Sequence, residues 1–182
     1  MQKLISTAFS FILIAGLCSC TSLKSKCYPG EAVMNEDKNI GKDMVCTFNK
    51  AVYSVRAVKK DETVMGHLEW DKEKGEYKVV NNKAVLSKLD NYLFVNVLGD
   101  DGLYTILKIA ASGEDSLVLY SVKKDKVEAD IKAGRIRGLV KDQNIILDLA
   151  QEELDDYLRK NIGTAFDYNS PGVVLIIKNF EN

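Results

Sequence analysis

An α+β fold, mostly β, follows from three features of this sequence. Residues alternate with period two over most of the chain after Val45. Short Gly/Asp segments separate the alternating runs. One amphipathic stretch stands near the end. The expected architecture is an antiparallel meander or partly open barrel with one C-terminal helix.

The first strand runs over Ala51–Val58 and the second over Thr63–Trp70. Asp71-Lys72-Glu73-Lys74-Gly75 reads as a polar turn into Tyr77–Val80. Tyr92–Leu98, the link Gly99-Asp100-Asp101-Gly102 and Leu103–Ala110 form a hairpin, because two β-rich runs flank a short Gly/Asp connection. Ser112–Asp115 then leads to a strand at Leu117–Val122, and Val173–Ile177 reads as a buried final strand.

Asp148 is placed to cap the helix, with Gln151 three residues on as in a capping box. Glu152 and Glu153 fall in the first turn, and Arg159 and Lys160 in the last, as the helix dipole favours. Ala150, Leu154, Tyr157 and Leu158 share one face, and Gly163 follows the helix.

The chain has 182 residues, 46% apolar and 28% charged, which suits one folded domain. Removing residues 1–19 takes away Lys3 and no acid, so 24 cations face 26 acids and the net charge is −2. A duplex binder needs a basic excess to displace counterions, so nucleic acid is not an expected partner.

Met1-Gln2-Lys3 precedes the apolar run Leu4–Leu17. A bilayer span needs about 20 residues, so this run suits the hydrophobic part of a secretory signal. Leu17-Cys18-Ser19-Cys20 follows and resembles the lipobox of bacterial lipoproteins. The resemblance implies cleavage between Ser19 and Cys20, diacylglycerol on the Cys20 sulfur, and acylation of the new amine, as with palmitate. Choosing Cys18 instead would put bulky Leu17 where a small residue is wanted. Thr21 stands where an aspartate favours inner-membrane retention in this family, which implies the outer membrane, lipid-anchored and facing the periplasm. The segments Tyr92–Phe94, Tyr104 and Ala150–Leu158 resemble only uncharacterised lipoproteins. The expected division is 1–19 signal peptide, 20–26 lipidated tether and 27–182 one β-rich globular domain. A six-residue tether, Thr21–Lys26, reaches about 20 Å when extended.

After export Cys27 and Cys46 remain, and an oxidising compartment makes a disulfide between them the default. It would close a loop of about 20 residues and contribute roughly 3 kcal/mol. No C-x-x-C spacing suggests a metal or redox pair instead.

Candidate chemistry is sparse. His67 is the sole histidine and sits in a strand without a recognisable nucleophile or orienting acid. Asp100–Asp101 and Glu114–Asp115 sit in turns that favour aspartate, and Glu152–Asp156 lies on the outer side of the helix. None has the alternating oxygens of a calcium loop. Lys132, Arg135, Arg137 and Lys141 form one basic stretch, and Arg135 and Arg137 share a face if 134–140 is a strand. That face suits lipid phosphates or an acidic partner, against the plainer reading of a solvated strand. Trp70, Tyr53, Tyr77, Tyr92, Tyr104 and Tyr120 suffice to line a pocket, although core packing is their commoner use.

The sequence thus predicts a membrane-anchored envelope lipoprotein that binds a protein partner near the bilayer, without catalysis, metal or cofactor. One rival is a barrel enclosing a small apolar ligand or lipid. Another is a hydrolase of envelope polymers.

Overall fold

The computed structural model describes residues 21–33, 44–48, 51–59, 62–71, 73–111, 116–170 and 172–177. Everything expected of 1–20, including the lipobox and Cys20, lies outside the described residues, as do Glu114 and Asp115.

The strands are β1 (Ser22–Ser25), β2 (Glu31–Ala32), β3 (Met44–Phe48), β4 (Ala51–Lys59), β5 (Glu62–Asp71), β6 (Glu76–Leu89), β7 (Tyr92–Leu98), β8 (Tyr104–Ala111), β9 (Ser116–Tyr120), β10 (Gly138–Lys141), β11 (Asn144–Leu147) and β12 (Gly172–Ile177). The helices are α1 (Lys124–Lys132) and α2 (Gln151–Ala165). The protein is mostly β, and α2 is the helix expected near the C-terminus; α1 is additional.

Turn chemistry sets the meander from β3 to β9. The Asp71 carboxylate accepts the amides of Glu73 and Lys74 at 3.0 and 3.2 Å, so the chain reverses into β6. Asp90 takes a left-handed conformation (φ 53°) between β6 and β7, which short polar side chains tolerate. At the next corner the amide of Gly99 donates to Leu103 O at 2.9 Å, and Leu103 N donates to the Asp101 carboxylate at 3.1 Å.

Hydrogen bonding joins the sheet in the order β10-β11-β1-β8-β7-β6-β5-β4-β3-β12-β9, and β9 pairs again with β8. Eight strands, β3 to β9 with β12, therefore return on themselves. The return is compatible with an open edge because β8 divides its outer side. Tyr104–Ile106 pairs with β1, and Lys108–Ala111 pairs with β9. The branch β1-β11-β10 leaves the ring there and ends on β10. The β1–β11 pair is parallel, which makes the sheet mixed instead of purely antiparallel.

Both faces of β6 to β8 carry buried residues. One carries Phe94, Ile106 and Leu89, joined to Leu154, Leu158, Val127 and Phe166 in a single cluster beneath the helices. The other carries Leu86 and Val95, paired across β6 and β7, together with Ala84 and Ile109. Within β6 the polar run Asn81-Asn82-Lys83 continues as strand because its backbone pairs with Gly66, Met65 and Val64 of β5.

The expected tether over 20–26 is corrected. Ser22–Ser25 is a sheet strand, with Leu23 and Ser25 fully buried and partners on both sides. Leu23 is apolar enough to enter the core, and its backbone groups are satisfied by β8 and β11. Only Thr21 separates Cys20 from the folded body, so the domain begins well before residue 27.

Two details of α2 also differ. Its N-cap is Ala150, not Asp148, and the Glu153 carboxylate accepts the Ala150 amide at 2.9 Å. The helix runs on to Ala165, so Arg159, Lys160 and Gly163 lie inside it. Burial of Ala165 and Phe166 beside Val122 draws the chain through this extra turn and offsets the helix cost of Gly163.

Candidate functional site

The most organised polar constellation lies between the end of α1 and the middle of α2. Val127 and Ile131 stand four residues apart and anchor α1 on the core, which leaves Asp130 beside them facing α2. Asp130 is 1% exposed. Its carboxylate accepts from Lys126, from Arg135 Nε and Nη2 at 2.8 and 2.6 Å, and from the Tyr157 hydroxyl at 2.8 Å. Lys126 also donates to Asn161 at 3.0 Å, tying α1 to α2 a second time.

The protonation states follow from these partners. Burial alone would push the Asp130 carboxyl up, but the hydrogen bonds from Lys126, Arg135 and Tyr157 more than offset it, and the net shift is downward. Burial, then the Asp130 charge, pushes the Tyr157 hydroxyl well above its ordinary value. Asp130 is therefore a fixed anion that cannot donate a proton at neutral pH, and Tyr157 is a fixed hydrogen-bond donor.

Replacing Asp130 with asparagine tests this hub. Loss of the charge-assisted bonds should cost about 1–3 kcal/mol at pH 7. Because the folded carboxyl is held below its ordinary 3.8, its contribution is complete above that value and is lost as pH falls through the lower native one. Urea unfolding across this acidic window should show wild-type stability falling toward that of Asp130→Asn. A constant gap would contradict the assignment.

Arg135 and Arg137 do come together, though not as a strand face. Of the expected 134–140 strand only residues 138–140 are extended and paired, within β10; both arginines stand in the loop before it. Arg137 donates to Glu153 at 2.7 Å and to Asp148 O at 3.2 Å. The expected free cationic face is thus matched by carboxylates of the same chain, because α2 docks its acidic first turn against this loop. The Glu153 carboxyl is held below its usual range by the Ala150 amide and then by Arg137. With Lys160 and Asp156 these groups line a cleft of about 550 Å³.

Other acidic residues among those described are used structurally. Asp101 accepts from Lys24 at 2.7 Å, which fastens the β7–β8 turn to β1 and lowers the Asp101 pKa. Asp155 accepts the Gly30 amide at 2.8 Å, and Asp156 meets Arg159 at 3.4 Å. No group of three His, Cys, Asp or Glu suited to a metal occurs among the described residues. His67 pairs with Tyr53 and Val80 in register, and its side chain lies outside the described residues. The same holds for the side chains of Trp70, Tyr53 and Tyr77.

Cys27 carries a free thiol whose Sγ lies 3.5 Å from Ser25 Oγ and 3.6 Å from Leu149 O. The bridge expected to Cys46 is not made by this thiol. The sheet order separates β1 from β3 by β8, β9 and β12 on the shorter path. The Cys46 side chain lies outside the described residues.

The tyrosines divide. Tyr104 meets Tyr28 edge-on at 5.2 Å. Tyr92, Tyr120 and Tyr168 surround Lys108, with their ring centres 5.5, 5.1 and 5.0 Å from its Nζ. Lys108 is 7% exposed, and burial pushes its ammonium pKa down. A lysine on the helix-facing side of β8, in line with Ile106, was the visible sign of this cage. Asp130 had only Lys126 four residues before it as a sign. Compared with protein-family models, curated proteins and solved structures, the chain gives no match.

Proposed function

We propose that this chain is a bacterial envelope lipoprotein, cut before Cys20 and lipidated there. Its β-rich body acts by binding a protein partner close to the bilayer, without catalysis. The expected membrane is the outer one, with the body facing the periplasm. One observation carries the reading: β1 starts two residues after Cys20 and is built into the sheet, with Leu23 buried and Ser25 bonded into two ladders. Acyl chains on Cys20 would therefore hold a folded body directly against the membrane. Two or more chains give stable anchoring where one does not.

A binding role is supported by the outer edge of β10, the four-residue strand that ends the branch, on which Leu139 is 51% exposed. Such edges add strands from partners. The test is Cys20→Ser in the native host, read by intact mass, detergent partitioning and cross-linked pull-down. The expected result is loss of the acyl mass, transfer to the aqueous phase, and loss of the envelope protein recovered with the wild type. Unchanged mass and partitioning would overturn the anchor, and no specific protein with the wild type would overturn the binding role.

A further inference from the structure

The chain enters the sheet at a defined end. Leu23 of β1 pairs with Ile106 of β8, so Thr21 comes level with Lys108, two residues further along β8. Ser22 N donates to Gln143 O at 3.2 Å, and Lys141 pairs with Asn144 beside it. Lys124 Nζ reaches Asp142 O at 3.3 Å, which brings the start of α1, with exposed Lys123, to the same end.

Two of the three exposed large hydrophobic residues among those described, Tyr92 and Tyr168, stand there, each 37% exposed. Lys108 holds both, with Tyr120, by cation–π contacts of 5.0 to 5.5 Å. The opposite end of β8 carries the turn with exposed Asp100 and Asp101. Tyrosine has an apolar ring and a polar hydroxyl, a combination suited to the boundary between acyl chains and headgroups. Exposed lysines can reach lipid phosphates from the same level. Asp125 and Asp142 stand among the lysines, so the aromatic pair and the point of chain entry carry the inference, and net charge does not.

We infer that this end of the sheet rests on the bilayer, with Tyr92 and Tyr168 at headgroup depth and Lys123 and Lys141 facing lipid phosphates. The inference rests on the anchor proposed above. It adds an orientation: the β7–β8 turn points away from the membrane.

The test uses the full lipidated protein in vesicles of phosphatidylethanolamine and phosphatidylglycerol with brominated acyl chains, which quench tryptophan on contact. Tyr92→Trp, Tyr168→Trp and Asp100→Trp are each compared with the parent, whose Trp70 supplies the background. The emission added at 92 and 168 should be quenched, and that added at 100 should not. Vesicle-bound protein with unquenched emission at 92 and 168 would overturn the orientation while the anchor stands. Protein that does not float with the vesicles at all would overturn the anchor and the orientation together.

Discussion

Replacing Phe94 with alanine is expected to destabilise the protein by about 3–5 kcal/mol, the range for a large aromatic removed from a closed core. Phe94 is fully buried at the centre of β7, and its ring lies 6.0 Å from that of Phe166 at a 48° tilt. The two rings come from opposite layers, the sheet and the segment after α2, so the cavity left by one cannot be closed by a local shift of the other. Urea unfolding should show a large drop in midpoint with an unchanged slope. The double substitution with Phe166→Ala should cost less than the sum of the singles by about 0.5–1.5 kcal/mol, the coupling of an aromatic pair. A Phe94→Ala protein within 1 kcal/mol of the wild type would refute the core assigned here.

Gly30→Ala is expected to cost about 2–5 kcal/mol, although it adds a single methyl group. Gly30 has φ +69°, and a Cβ there would stand 2.0 Å from the carbonyl oxygen of Lys88. The left-handed conformation alone costs about 1–2 kcal/mol for an L-residue. Clearing the clash adds an overpacking cost of about 1–3 kcal/mol, since the obstruction is sheet backbone and not a movable side-chain tip. Gly102→Ala separates the two contributions. Gly102 has φ +74° but open space around its Cα, so only the conformational part should appear. Thermal or urea unfolding of the pair reads the difference directly. Equal losses at the two positions would mean that the segment at Gly30 does not lie against β6.

The meander was legible because its signals are local. Tyr92–Leu98 is a β-rich run, a Gly/Asp corner follows, and Tyr104–Ala111 is β-rich again; the strand bounds match the expected ones to within a residue. β1 was not legible, because Ser-Leu-Lys-Ser offers one apolar residue in four and its parallel partner, β11, lies 122 residues along the chain. α1 was hidden by its charge: in Lys-Asp-Lys-Val-Glu-Ala-Asp-Ile-Lys only Val127 and Ile131 mark the buried side. The site was legible in part. Arg135 and Arg137 were chosen for their charge and do line one cleft, but their partners Asp130 and Glu153 belong to two helices.

By itself the sequence determined the mostly β composition, the order and corners of the central strands, the amphipathic helix before the last strand, and the lipobox-like start that motivates the proposed anchor. Those are set within a few residues by alternation, turn chemistry and apolar runs. The tertiary structure decided that β8 serves two neighbours, so that a ring of strands and an open branch coexist. It also decided that Asp130 and Lys108 are buried and that the presumed tether is a strand. Such outcomes depend on which distant groups are available to satisfy a backbone amide, a carboxylate or an ammonium once water is excluded, and no local pattern records that.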